Sequence, residues 1–188
     1  MKTTDYRYIK KYFNSFKIRL DEVVDNFSEI SKVKKLLINL KKKKKKILIF
    51  GNGGSAAIAS HFSVDLTKYG NIRCVNFNES DLITCFANDY GYENWIAKAI
   101  EFYADPGDYL ILISSSGKSK NMIEACKQAR KSKLKKIFTF TGFSKNNPLK
   151  KFGHINIWVN SKIYNHIENI HQIILLSLID LIKKTKIK

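Results

Sequence analysis

Ile47-Leu48-Ile49-Phe50-Gly51-Asn52-Gly53-Gly54-Ser55 is the stretch that decides how this chain folds. Four apolar residues in a row, without polar alternation, suit a short strand buried on both faces. The glycine that ends the run and the Gly-Gly-Ser behind it mark a tight turn, after which Ala56 to Lys68 reads as a helix. Further strands are predicted near Ile72 to Phe77, at Tyr109 to Ile113, at Lys136 to Thr141 and at Ile155 to Val159. Residues 80 to 103 read as helical with a break around Asn88 to Gly91. A polar turn from Ser114 to Ser119 leads into a helix ending at Lys131, and Tyr164 to Lys183 closes the chain. Strands alternating with helices define an α/β fold, a three-layer sandwich around a five-stranded parallel sheet. Ligands of such sheets bind beyond the carboxyl ends of the strands. Ahead of the sheet, apolar residues at three- and four-residue spacing predict two helices over residues 5 to 43. No linker or internal repeat divides the chain. Residues 1–188 read as one domain, with 1–45 an N-terminal helical pair and 46–188 the sheet core and closing helix.

Composition agrees with that reading. The 188 residues are 44% hydrophobic and 27% charged, enough for one full core. Two prolines and nine glycines exclude a fibrous or disordered chain. Thirty-four Lys+Arg against sixteen Asp+Glu leave a charge of +18, which admits nucleic acid, an acidic membrane or a phosphorylated ligand as partner. Lys41 to Lys46 is an unbroken basic run, and the tail LIKKTKIK is basic too. The run reads either as a polyanion patch or as a solvated helix end, where cations suit the helix dipole. No aromatic residues interleave with it, so nucleic acid is not the expected partner. Cys74, Cys85 and Cys126 are widely spaced and form no CxxC, which fits a reducing compartment. MKTTDYRYIKKYF holds no signal-peptide core, and the apolar run near Ile173 to Ile182 is too short to span a bilayer. A cytoplasmic protein is expected.

Two loops fall at the predicted ligand edge. In Gly51-Asn52-Gly53-Gly54-Ser55, glycines allow close approach of backbone to an anion, and the following helix start supplies N–H donors. With Ala56 the loop fits the loose dinucleotide pattern GxGxxA. The acid that pattern needs after the second strand is replaced by Asn76, Phe77 and Asn78, so no nucleotide cofactor is expected. The plain alternative is a tight turn with no ligand. The second loop, Ser114-Ser115-Ser116-Gly117-Lys118-Ser119, sets four hydroxyls around a glycine. Its Gly-Lys-Ser ending is not a nucleotide P-loop, because Leu112 stands where that motif requires glycine. One serine suffices for a helix cap, so four favour a phosphate pocket.

The stretches GNGGSAAIASHF, ANDYGYEN, ISSSGKSKN and the closing HIENIHQIILLSLIDLI together resemble the sugar isomerase (SIS) domain, in its phosphoheptose isomerase branch. The resemblance implies a homotetramer, assembled partly through the N-terminal helices, with sites between subunits. It implies conversion of sedoheptulose 7-phosphate to glycero-manno-heptose 7-phosphate in cell-surface heptose synthesis. Carried over by motif, Ser55, Ser114, Ser115, Ser116 and Ser119 line the phosphate and sugar site. Asn52, Gly53 and Gly54 bring backbone to the substrate, and Asn88 and Asp89 meet sugar hydroxyls.

The chemistry, a proton moved between C1 and C2 through an enediol, needs a base near carbon and an acid or metal near oxygen. By resemblance the base is Asp65, four residues after His61, where the family has glutamate. Glu168 stands for the family's glutamine in the last helix, and Leu176 for its histidine. His171, three residues after Glu168, is the candidate replacement for that histidine. The expected catalytic set is therefore Asp65, Glu168 and His171. His61, Asp65, Glu168 and His171 are the candidate zinc ligands. The plain alternatives are a core-facing or solvated His61, a surface Asp65, and Glu168 and His171 as polar positions on an interface helix. A competing function is a phosphosugar-binding or regulatory protein without chemistry, such as the relative that binds the replication initiator.

Overall fold

The computed structural model describes residues 3–184, so the last four residues of the basic tail lie outside it. Five parallel strands, β1 (Ile47–Gly51), β2 (Cys74–Val75), β3 (Tyr109–Ser114), β4 (Lys136–Thr141) and β5 (Ile155–Trp158), are ordered β2-β1-β3-β4-β5. Among the described residues, seven α-helices accompany them. These are α1 (Thr4–Asp21), α2 (Phe27–Lys42), α3 (Gly54–Lys68), α4 (Ser80–Tyr90), α5 (Trp95–Tyr103), α6 (Lys120–Lys131) and α7 (Tyr164–Lys183).

Successive side chains of a strand point to opposite faces, and here both faces are covered. Ile47, Ile49, Ile111, Ile113, Phe138 and Phe140 pack in one core with residues of α2, α3 and α7. Leu48, Phe50, Leu110, Leu112 and Ile137 pack in the other with α5 and α6. That double burial is why the strands show continuous apolar runs, and it makes the three layers.

Three boundaries differ from the sequence reading by more than one residue. β2 is two residues long rather than the six of Ile72 to Phe77. The amides that follow it bond to α3 instead of to the sheet: Asn76 Nδ2 donates to Ser63 Oγ at 2.6 Å and Asn78 Nδ2 to Ser60 Oγ at 2.7 Å. α3 starts at Gly54, two residues early, because Gly53 adopts φ 54° and turns the chain into the helix at once. The break in residues 80 to 103 falls at 91–94, since Asn88 and Asp89 still belong to α4.

Lys41 and Lys42 end α2, and the rest of the basic run turns into β1. Lys46 is held by Asp105 at 2.6 Å and by Asp108 at 2.7 Å. Asp108 is fully buried and also accepts the N–H groups of Lys46 (3.0 Å) and Asp105 (2.9 Å). Asp108→Asn keeps the shape but turns one acceptor into a donor facing N–H groups. It is expected to cost about 2 kcal/mol, read from urea unfolding midpoints; an unchanged midpoint would remove the structural role assigned to this carboxylate.

α1 and α4 bury no residue within the chain. α1 leaves Tyr8, Ile9 and Phe13 exposed. Among the described residues no helix is long and apolar enough to cross a membrane.

Candidate active site

The Gly51–Ser55 loop leaves β1 and the Ser114–Ser119 loop leaves β3, and these strands are neighbours at the point where strand order reverses. Between the loops lies a cleft of about 130 Å³, closed by Tyr164 and Glu168 of α7. Ser55, Ser114 and Ser115 are buried in its wall. Ser114 and Ser119 share a 3.3 Å hydrogen bond, whereas the buried Ser115 Oγ has no partner among the described residues. A buried hydroxyl left unpaired is costly, and a phosphoryl oxygen would satisfy it. The expected phosphate loops are thus brought together.

Residues that the sequence reading missed hold the cleft in shape. Asn121, buried at the start of α6, exchanges two amide hydrogen bonds with Asn52, at 3.1 and 2.9 Å. Tyr92 Oη donates to Asn52 Oδ1 at 3.2 Å. Beneath the serine loop, Leu149 N–H donates to Gly117 O at 3.0 Å. Asn121 follows the serine loop by only two residues, and an amide opening a helix beside a ligand loop was the available signal.

Glu168 also borders a second cavity of about 320 Å³ with Gly54, His61 and Gln172. A methyl group on Gly54 would sit 2.2 Å from Glu168 Oε2, so glycine at 54 is what lets this carboxylate lie against the loop. Glu168 therefore borders both the hydroxyl cleft and the His61 cavity. Burial pushes its carboxyl above the ordinary carboxylate range. A phosphate in the adjacent cleft would raise it further by like-charge repulsion.

The remaining expected site residues fare differently. His61 Nε2 and Asp65 Oδ2 are 3.2 Å apart on one face of α3. Asp65 does not border the cavity, and its carboxylate pairs with His61 instead. His171 is a correction. It is fully buried, its Nε2 donates to Thr141 O at 3.2 Å, and its ring meets Phe140 edge-on. Burial pushes it down to about 4, against the opposing pull of the Thr141 carbonyl. It is a neutral core histidine and borders neither cavity. Leu176 is partly buried against the same core. Asn88 and Asp89 bond to each other at 2.9 Å at the exposed end of α4 and border neither cavity.

The zinc set expected from His61, Asp65, Glu168 and His171 is not assembled. With His171 turned into the core and Leu176 apolar, no group of three or more His, Cys, Asp or Glu among the described residues converges on a metal position. The donors present within one chain do not fit a structural or catalytic zinc.

Residues 11–141 match the SIS domain family, and the chain belongs to that family. It is 35% identical over 136 residues to the phosphoheptose isomerase of Helicobacter pylori, a span of 69% of this chain and 71% of that one. It is 31% identical over 178 residues to the phosphoheptose isomerase of Buchnera aphidicola, covering 87% and 91% of the two chains. Among solved structures, the phosphoheptose isomerase of Francisella tularensis superposes with a TM-score of 0.88 at 25% identity, over 97% of this chain and all of the other.

Proposed function

We infer that this chain is a phosphosugar isomerase of the phosphoheptose isomerase type, interconverting ketose and aldose phosphates through an enediol. The observation that carries this is the placement of Glu168, which joins a hydroxyl cleft with an unpartnered Ser115 to the cavity of the His61–Asp65 pair. The phosphate sits among Ser55, Ser114, Ser115, Ser116 and Ser119, with Asn52, Gly53 and Gly54 along the chain of the sugar. Glu168, as carboxylate, takes the proton from the carbon beside the carbonyl and returns it to the neighbouring carbon. His61, polarised by Asp65, gives and regains the proton on the carbonyl and hydroxyl oxygens. A carboxyl raised by burial is a stronger base than a free one, which suits it to take the proton. An ionisable Glu168 at this junction is also what an inert sugar-binding pocket has no use for.

The same reading includes sedoheptulose 7-phosphate as substrate, a place in cell-surface heptose synthesis and a cytoplasmic setting. It also includes a homotetramer, supported by the exposed Tyr8, Ile9 and Phe13 of α1, a helix with no fully buried residue in its own chain. Incubation with a panel of ketose phosphates, with and without EDTA, tests the activity. Aldose phosphate is expected to appear in both cases, and unphosphorylated ketoses are expected to give none. Conversion abolished by EDTA and restored by zinc would contradict the metal-free shuttle.

A further inference from the structure

A cavity of about 450 Å³ lies away from the active site, between the N-terminal helices and the outer strand β5. Arg19 and Glu22 border it from the end of α1 and the 3-10 turn Glu22–Asn26. Lys145 and Lys150 border it from the segment after β4, and Trp158 from β5. Its size falls within the range of small-molecule sites.

Its chemistry is unfinished. Glu22 Oε1 takes a 2.6 Å ion pair from Arg19, but Glu22 Oε2 is buried with no partner among the described residues. Trp158 Nε1 is likewise buried with no partner. One unpaired acceptor and one unpaired donor on residues of the same cavity each carry a desolvation cost that a ligand can relieve. The ligand must offer an acceptor to the indole N–H and a hydroxyl to the carboxylate. Arg19, Lys145 and Lys150 against the single Glu22 leave two net positive charges, matching a phosphomonoester dianion. Lys145 Nζ sits 5.6 Å over the Trp158 ring, which fixes one cation at the edge of the site.

We propose that this cavity is a second binding site, distinct from the serine cleft, for a small hydroxylated phosphomonoester. The site does not depend on the isomerase reading. Its test uses glycerol 3-phosphate titrated calorimetrically into the full-length protein. The Ser115→Val variant, which blocks the serine cleft, is expected to keep one site per chain. In that background Lys145→Met with Lys150→Met is expected to weaken binding at least tenfold. Both lysines are at least partly exposed, so the variant folds. Binding in the Ser115→Val background is also expected to change tryptophan emission, and Trp158→Phe to remove that change. Glycerol 3-phosphate is expected to bind more tightly than inorganic phosphate, with Glu22→Gln erasing the difference. No binding to Ser115→Val, or binding that survives loss of both lysines, overturns the second site. Equal affinity for the two probes in the Ser115→Val background overturns the assigned ligand class.

Discussion

Glu168→Gln is expected to lower isomerase turnover by about a hundred- to ten-thousand-fold, the usual contribution of a positioned acid–base group, while phosphosugar binding is kept. The variant is nearly isosteric, so Gly54 still receives it and the serine cleft is untouched. What it loses is the group that can accept and return a proton. The substitution is informative because it restores the residue type that the resemblance assigns to this position. If the chain worked as the resemblance implies, with Asp65 as the base and glutamine the residue type at this position, the variant would be tolerated. If Glu168 is the proton shuttle, the variant binds substrate with KM little changed and kcat collapsed. Steady-state kinetics on purified variant and parent decide between these, and unchanged turnover with unchanged metal content would remove Glu168 from the chemistry.

Acid is expected to unfold the protein partly through His171. The folded protein holds this ring neutral down to about pH 4, whereas an unfolded chain protonates it near its ordinary 6.5. Between those values the unfolded state binds the extra proton. The contribution is therefore fully present above about 6.5 and is lost as pH falls toward 4. Across the whole window the loss amounts to about 3 kcal/mol. His171→Gln keeps a donor for Thr141 O and cannot titrate, so its stability should fall by that much less over the same range. His166, also buried and also lowered by burial, remains in both proteins and cancels in the difference, as do the carboxylates. Urea unfolding of both proteins at several pH values between neutrality and pH 4 measures it. Parallel pH curves for the two would show that His171 is not held neutral by the fold.

How much was legible beforehand follows from which residues speak locally. β4 and α7 fall where the sequence placed them, because a short run rich in aromatic and β-branched residues and a long helix with 3.6-residue periodicity are local signals. Both phosphate loops were also local: glycines and serines between an apolar run and a helix. β2 was overestimated because its end is decided by Asn76 and Asn78 bonding across to α3, a contact no local pattern encodes. The misplacement of His171 has a different origin. Ile167, His171, Ile174 and Leu178 are spaced at i, i+4, i+7 and i+11, so His171 lies inside the apolar stripe of α7 and belongs to the core. Glu168 and Gln172 lie one step round the helix and face the cavity. Separation by three residues placed Glu168 and His171 near each other without putting them on the same side of the core boundary. Asn121 and the unpartnered Ser115 hydroxyl depended on tertiary packing and became visible only with the structure.

The central claim is that a proton leaves the carbon beside the carbonyl of a phosphorylated sugar and returns to its neighbour. An NMR time course of sedoheptulose 7-phosphate with the purified protein in heavy water tests it most directly. The account predicts deuterium at that carbon together with appearance of the aldose phosphate, and neither in Glu168→Gln. A sample that binds the sugar phosphate yet exchanges no proton, across a panel of ketose and aldose phosphates, would contradict it and leave a binding protein.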